Sequence, residues 1–164
     1  MAGLFHDIGI LIYDQFFHEE FAKIVDLALA KSITFLEAEE TLAPRETHGM
    51  LGAALLETWR IPLNVIDPIR FHHSPLRAPQ NHVIPVTIMA LTEHLLANAG
   101  VSSFEGNPGR INPQYWEILG ISSKQEESLT LLAKLEADKS DVVMFFDKSP
   151  GLASSGSATL LRTV

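Results

Sequence analysis

The chain contains no cysteine among its 164 residues. Disulfides and thiolate-ligated zinc or iron–sulfur centres are therefore excluded, and any metal must be held by His, Asp, Glu or backbone oxygen. Basic residues are few, 12 Lys and Arg against 20 Asp and Glu, for a formal charge of −8. No stretch gathers them into a phosphate-tracking footprint, so no nucleic-acid partner is expected. No apolar run approaches the roughly 18 residues of a membrane helix. The first 13 residues lack the basic flank and small-residue cleavage site of a secretory signal. No membrane partner is expected, and the expected location is cytoplasmic. A Gly-x-Ser-x-Gly elbow is also missing, and "EGNPGR" carries no Gly-Lys-Ser/Thr, which leaves neither acyl transfer nor a phosphate cradle a foothold.

What is present is a chain with 46% hydrophobic residues, long enough for one domain with a real core. Its apolar spacing is helical nearly throughout, which predicts an all-α fold. A first helix is expected from Ile8 to Phe16. A second, "HEEFAKIVDLALAKS", turns Phe21, Ile24, Val25 and Leu27 to Leu29 inward and carries acidic residues in its first turn and Lys31 in its last. A third, "TFLEAEETL", has Thr34 and Glu37 at capping-box spacing, and its "EAEE" run reads as a solvated face.

The fourth helix, Glu46 to Arg60, carries Gly49, Gly52, Ala53 and Ala54, small residues that let a neighbour approach closely. Pro62 ends it. "PLNVIDPIRFHH" makes a fifth helix with Val65, Ile66 and Ile69 inward, stopped by Pro75, and a sixth runs from Pro85 to Ala99 with Gly100 as its C-terminal cap. "NPQYWEILG" and "SKQEESLTLLAKLEADKSDVVMFF" give two more amphipathic helices. Residues 1–100 form the main helical domain, 101–148 a C-terminal helical extension packing on it, and 149–164, rich in Ser and Gly, a flexible tail. Trp59 and Trp116 are expected in a core or a subunit contact. His18, His82 and His94 read as surface residues.

Six potential ligands recur at helix ends or on inward faces: His6, Asp7, His48, His72, His73 and Glu93. The separations are 41 residues from Asp7 to His48, 24 to His72 and 21 to Glu93. Each is about one antiparallel helix pair, so successive ligands can return to one end of a bundle. Imidazole and carboxylate together suit zinc, iron, manganese or magnesium. Spacing alone leaves open the alternative of helix-end histidines bonded to carbonyls, with Glu93 on an outer face.

Four stretches in order, "FHDIG", "THGMLGAALLETWRIP", "IRFHH" and "LTEHLLANAG", resemble the HD superfamily of metal-dependent phosphohydrolases, and most closely its HDOD branch of bacterial signalling proteins. The resemblance implies a helical bundle of the HD/HDOD type with about six to eight helices. It also implies a ligand role toward one or two divalent metals (Fe, Mn, Zn or Mg) for His6, Asp7, His48, His72 and His73, with Glu93 at the family's last Asp. In catalytic relatives such metals activate water against a phosphoester.

Three departures accompany it. The family's first metal-binding His lies upstream of the His-Asp pair, ahead of residue 1 here; the last Asp is Glu93; and the Lys that follows HDIG in catalytic signalling relatives is Ile10. HDOD members are mostly regarded as non-catalytic, so the reading is a degenerate metal site in a regulatory signal-transduction module that binds signalling proteins or a small ligand. The alternative is a metal-dependent phosphohydrolase acting on a nucleotide or cyclic dinucleotide. The chain is read as the C-terminal portion of such a domain plus an extension, and as a homo-oligomer, because apolar surface left by missing helices must be covered.

Overall fold

The computed structural model describes residues 1–43, 47–101 and 110–139. The expected tail at 149–164, the end of the last helix beyond Lys139 and most of the Ser/Gly loop after Val101 lie outside the described residues. Every regular element among those described is helical. A single turn, α1 (Ala2–Phe5), precedes eight helices of seven residues or more: α2 (Ile8–Phe16), α3 (His18–Lys31), α4 (Phe35–Leu42), α5 (His48–Thr58), α6 (Leu63–Phe71), α7 (Val83–Asn98), α8 (Pro113–Leu119) and α9 (Glu126–Lys139). None is long and apolar enough to cross a membrane.

Local chemistry explains the boundaries. Thr34 and Glu37 form the expected capping box, with the Glu37 N–H donating to Thr34 Oγ1 and the Thr34 N–H to Glu37 Oε2. Pro62 stands ahead of α6 and Pro75 behind it. Gly100 takes the left-handed conformation just past α7, with φ 79°. Trp116 joins Leu91 and Leu95 in a core between α7 and α8, and Leu129 of α9 packs against the same cluster.

Two further apolar clusters hold the N-terminal part together. Tyr13, Ile24, Phe35 and Ala38 join α2, α3 and α4. Ala53, Leu56, Ile66 and Ile69 join α5 to α6, with Phe5 of α1 beside them. Leu29 does not face inward as expected: it is 64% exposed, because the buried stripe of α3 centres on Ile24 and Ala28 follows it on the packed side. Trp59 is 56% exposed and so lies outside this chain's core. It stands at the C-cap of α5, past the helix's last buried turn.

The small residues of α5 do what their size allows. A Cβ at Gly49 would come within 3.0 Å of the Ile69 carbonyl oxygen and 3.3 Å of His72 Cε1, and one at Gly52 within 2.9 Å of Ile8 Cγ2. Gly9 on α2 is tighter still, since a Cβ there would lie 1.9 Å from the His48 carbonyl oxygen. Ala54, the fourth small residue, is exposed. Gly9→Ala is expected to force α2 and α5 apart and to cost about 3 kcal/mol or more, read as a fall in the urea midpoint. Gly3→Ala, where nothing lies within 4 Å, is the control and is expected to be neutral or slightly stabilising. A Gly9→Ala protein as stable as this control would refute the close approach.

Candidate metal centre

The packing of α2, α5, α6 and α7 delivers the six expected side chains to one place. His6 follows α1 and Asp7 is the N-terminal cap residue of α2, its carboxylate uncommitted to that helix's own N–H groups. His48 opens α5, His72 closes α6 with His73 next to it, and Glu93 projects from within α7. Ring and carboxylate atoms of His48, His72 and His73 lie within 4.8 Å of one another, as do those of His6, Asp7 and Glu93.

Asp7 joins the two groups. Its Oδ2 lies 3.1 Å from His6 Nε2, while its Oδ1 lies 3.6 Å from His48 Nε2 and 3.8 Å from His72 Nε2. Glu93 also reaches the histidines, with Oε2 4.0 Å from His72 Nε2 and Oε1 3.9 Å from His73 Nε2. The alternative of Glu93 on an outer, solvated face is not what the fold produces.

The hydrogen bonds behind the rings determine which nitrogen is bare. His72 donates from Nδ1 to the Ile69 carbonyl at 2.6 Å, and His48 donates from Nδ1 to Glu39 Oε2, also at 2.6 Å. Carbonyl and carboxylate oxygens can only accept, so both Nδ1 atoms carry the hydrogen, and a neutral ring then presents a bare Nε2. Those two Nε2 atoms face each other at 3.2 Å. His73 Nε2 lies 2.9 Å from the same His48 nitrogen and can donate to it.

Burial pushes the His72 imidazolium well down, with the neighbouring His73 and His48 charges adding to the effect. Burial, followed by the neighbouring His48 and His6, takes His73 down to about 3. Both are neutral near pH 7. His6 behaves oppositely: its hydrogen bond to Asp7 raises it to about 9 against the opposing effect of burial. It is a cation that donates from Nδ1 to the Gly3 carbonyl at 2.9 Å and from Nε2 to Asp7. Burial would raise Asp7, but the hydrogen bond from the His6 imidazolium and its charge hold it below its ordinary value. Burial and the Asp7 charge lift Glu93 to about 7.

Two residues of this region escape a reading of the sequence. Glu39, within the "EAEE" run, is completely buried rather than solvated, and it grips His48 through both carboxylate oxygens. Its signal was positional: Phe35, Ala38 and Glu39 share one helical stripe of α4. His82 is not a free surface residue either, since its ring pairs with buried Asp67 of α6 and ties down the loop that follows His73. His18 is exposed and pairs with Asp14, whereas His94 is partly buried.

The bundle and its cluster define an all-α helical domain with a site built of histidines and carboxylates. Within it, residues 1–75 match the HDOD domain model. The match covers His6, Asp7, His48, His72 and His73 and stops before Glu93. The chain is also similar to an uncharacterized protein of Treponema pallidum (strain Nichols), 24% identical over 140 residues, which is 85% of this chain and 27% of that relative. It therefore spans about a quarter of the relative's length. No solved structure matches it.

The His6–Asp7 pair sets a pH dependence for the metal-free protein. The folded pKa of His6 lies above the unfolded value of 6.5, so its contribution is fully present below pH 6.5 and is lost as pH rises through about 9. In EDTA, Asp7→Asn is expected to destabilise by about 1 to 3 kcal/mol at pH 6.5 and by much less at pH 9.5, measured by urea unfolding. An equal loss at both values would contradict the pairing.

Proposed function

We propose that this protein is a regulatory HDOD module that holds a divalent transition metal between His48, His72 and His73, with Asp7 as the oxygen donor. The observation that carries the reading is the convergence of three imidazole Nε2 atoms, His48 to His72 at 3.2 Å and His48 to His73 at 2.9 Å, while the Nδ1–H groups of His48 and His72 are committed elsewhere. With those Nδ1 positions carrying the hydrogens, neutral His48 and His72 rings turn their Nε2 atoms to a shared point that a cation can occupy. Three imidazoles and a carboxylate make a donor set suited to zinc, iron or manganese. When bound, the metal supplies Lewis-acid polarisation of a ligand atom and a clamp across α2, α5 and α6.

The regulatory side of the proposal rests on what surrounds the donors. Among the described residues, the ion pairs of Asp7 and Glu93 are all with histidines, and Ile10 stands where a cation for a substrate phosphate would be useful. His6, Asp7 and Glu93 hold protons and charge beside the three imidazoles and can orient a small polar ligand. Self-association belongs to the same reading, supported by Leu4, Leu11, Phe16, Ile84 and Ile88, which leave large apolar side chains exposed. Sedimentation of the purified chain tests it, and a monomer at high micromolar concentration would remove that element.

Elemental analysis of protein purified without a polyhistidine tag is expected to find near-stoichiometric transition metal, absent from a His48→Ala, His72→Ala variant. Metal at 100 times its Kd is expected to stabilise the fold by about 2.7 kcal/mol. The affinity is expected to rise from pH 6 to pH 8, as the protons held by Glu93 near 7 and part of those on His6 are given up. No metal in the wild type would defeat the proposal. Hydrolysis of bis-p-nitrophenyl phosphate with manganese, lost in the variant, would replace it with the phosphohydrolase alternative.

A further inference from the structure

Glu39 is a carboxylate with no exposed surface, and leaving an ionised group there is costly unless it is fully bonded. It is fully bonded, but to one residue. Its Oε1 accepts from the His48 backbone N–H at 2.8 Å and its Oε2 from the His48 ring Nδ1 at 2.6 Å. The first bond caps α5, whose own cap residue, Thr47, makes no side-chain bond to the helix. Capping needs only that one oxygen. The second bond reaches past the helix end and fixes the orientation and the tautomer of the ring.

We infer that Glu39 is a positioning residue that holds His48 in the Nδ1–H tautomer, so that its Nε2 lone pair is aimed into the His72–His73 cluster and available to a metal. The inference rests on the proposed metal reading for its consequence and on the hydrogen bonds alone for its mechanism. Carboxylates behind ligand imidazoles raise the basicity of the ring and exclude the unproductive tautomer.

Glu39→Gln separates this role from capping. Both Glu39 oxygens accept, whereas a glutamine offers one acceptor and one donor. With its oxygen on the backbone N–H, its amide group faces Nδ1, and both bonds survive only if the ring hydrogen moves to Nε2. That hydrogen then points at His72 and closes the coordination position. The variant keeps the cap and the side-chain volume, so the helical fold is retained.

The experiment combines long-range nitrogen–proton NMR of the histidine rings, in metal-free protein, with zinc titration against a chelating dye. Wild-type His48 is expected to be Nδ1–H. Glu39→Gln is expected to show Nε2–H at His48, unchanged helicity by circular dichroism and a roughly 10- to 100-fold weaker zinc affinity. Wild-type His48 in the Nε2–H form would overturn the inference without recourse to any variant. Zinc binding by Glu39→Gln as tight as wild type would overturn it as well. Should the wild type bind no zinc, the metal proposal fails on its own, and the change of tautomer in Glu39→Gln still decides whether Glu39 sets the ring.

Discussion

Gly9 lies against the carbonyl of His48 with no room for a side chain between them, and this contact between α2 and α5 sets the geometry of the cluster. It brings the first turn of α2, with Asp7 at its head, against the first turn of α5, with His48 at its head. One residue further along α5, Gly49 admits the end of α6 and with it His72. The three apolar clusters are each small, and none spans the whole chain. Close backbone contact along α5 does the work of bringing the polar groups within a few ångströms.

Such a gathering has an electrostatic cost that the structure meets residue by residue. Burial keeps His72 and His73 neutral, while the Asp7 charge is answered by the His6 imidazolium. Glu39 is answered by two donors from one residue. The Nε2 atoms of His48, His72 and His73 are left converging on one another, at 3.2 Å between His48 and His72 and 2.9 Å between His48 and His73. That convergence is what the proposed metal would use.

Much of this was legible in the sequence where the causes are local. The helix from Ile8 to Phe16, the Thr34–Glu37 cap, the prolines flanking α6 and the glycine after α7 each follow from backbone preferences acting over a few residues. The six cluster residues were legible as a set because separations of an antiparallel helix pair return them to one end of a bundle. Leu29 and the "EAEE" run were misread for a shared reason. Amphipathic periodicity identifies a stripe, but not how wide the covering neighbour is or where it stops, so Leu29 fell outside the buried arc and Glu39 inside it. His82 was misread because its partner, Asp67, lies 15 residues away in sequence.

Period, caps and breakers thus specified helices, their ends and the residue types available to hold a metal, since each of these is decided by neighbours in the chain. Tertiary structure alone decided which imidazole nitrogen is bare, which carboxylate is charged and that Glu39 stands behind His48. Tautomer and protonation state follow from burial and from partners brought together by folding, and those are properties of distances that no spacing along the chain encodes.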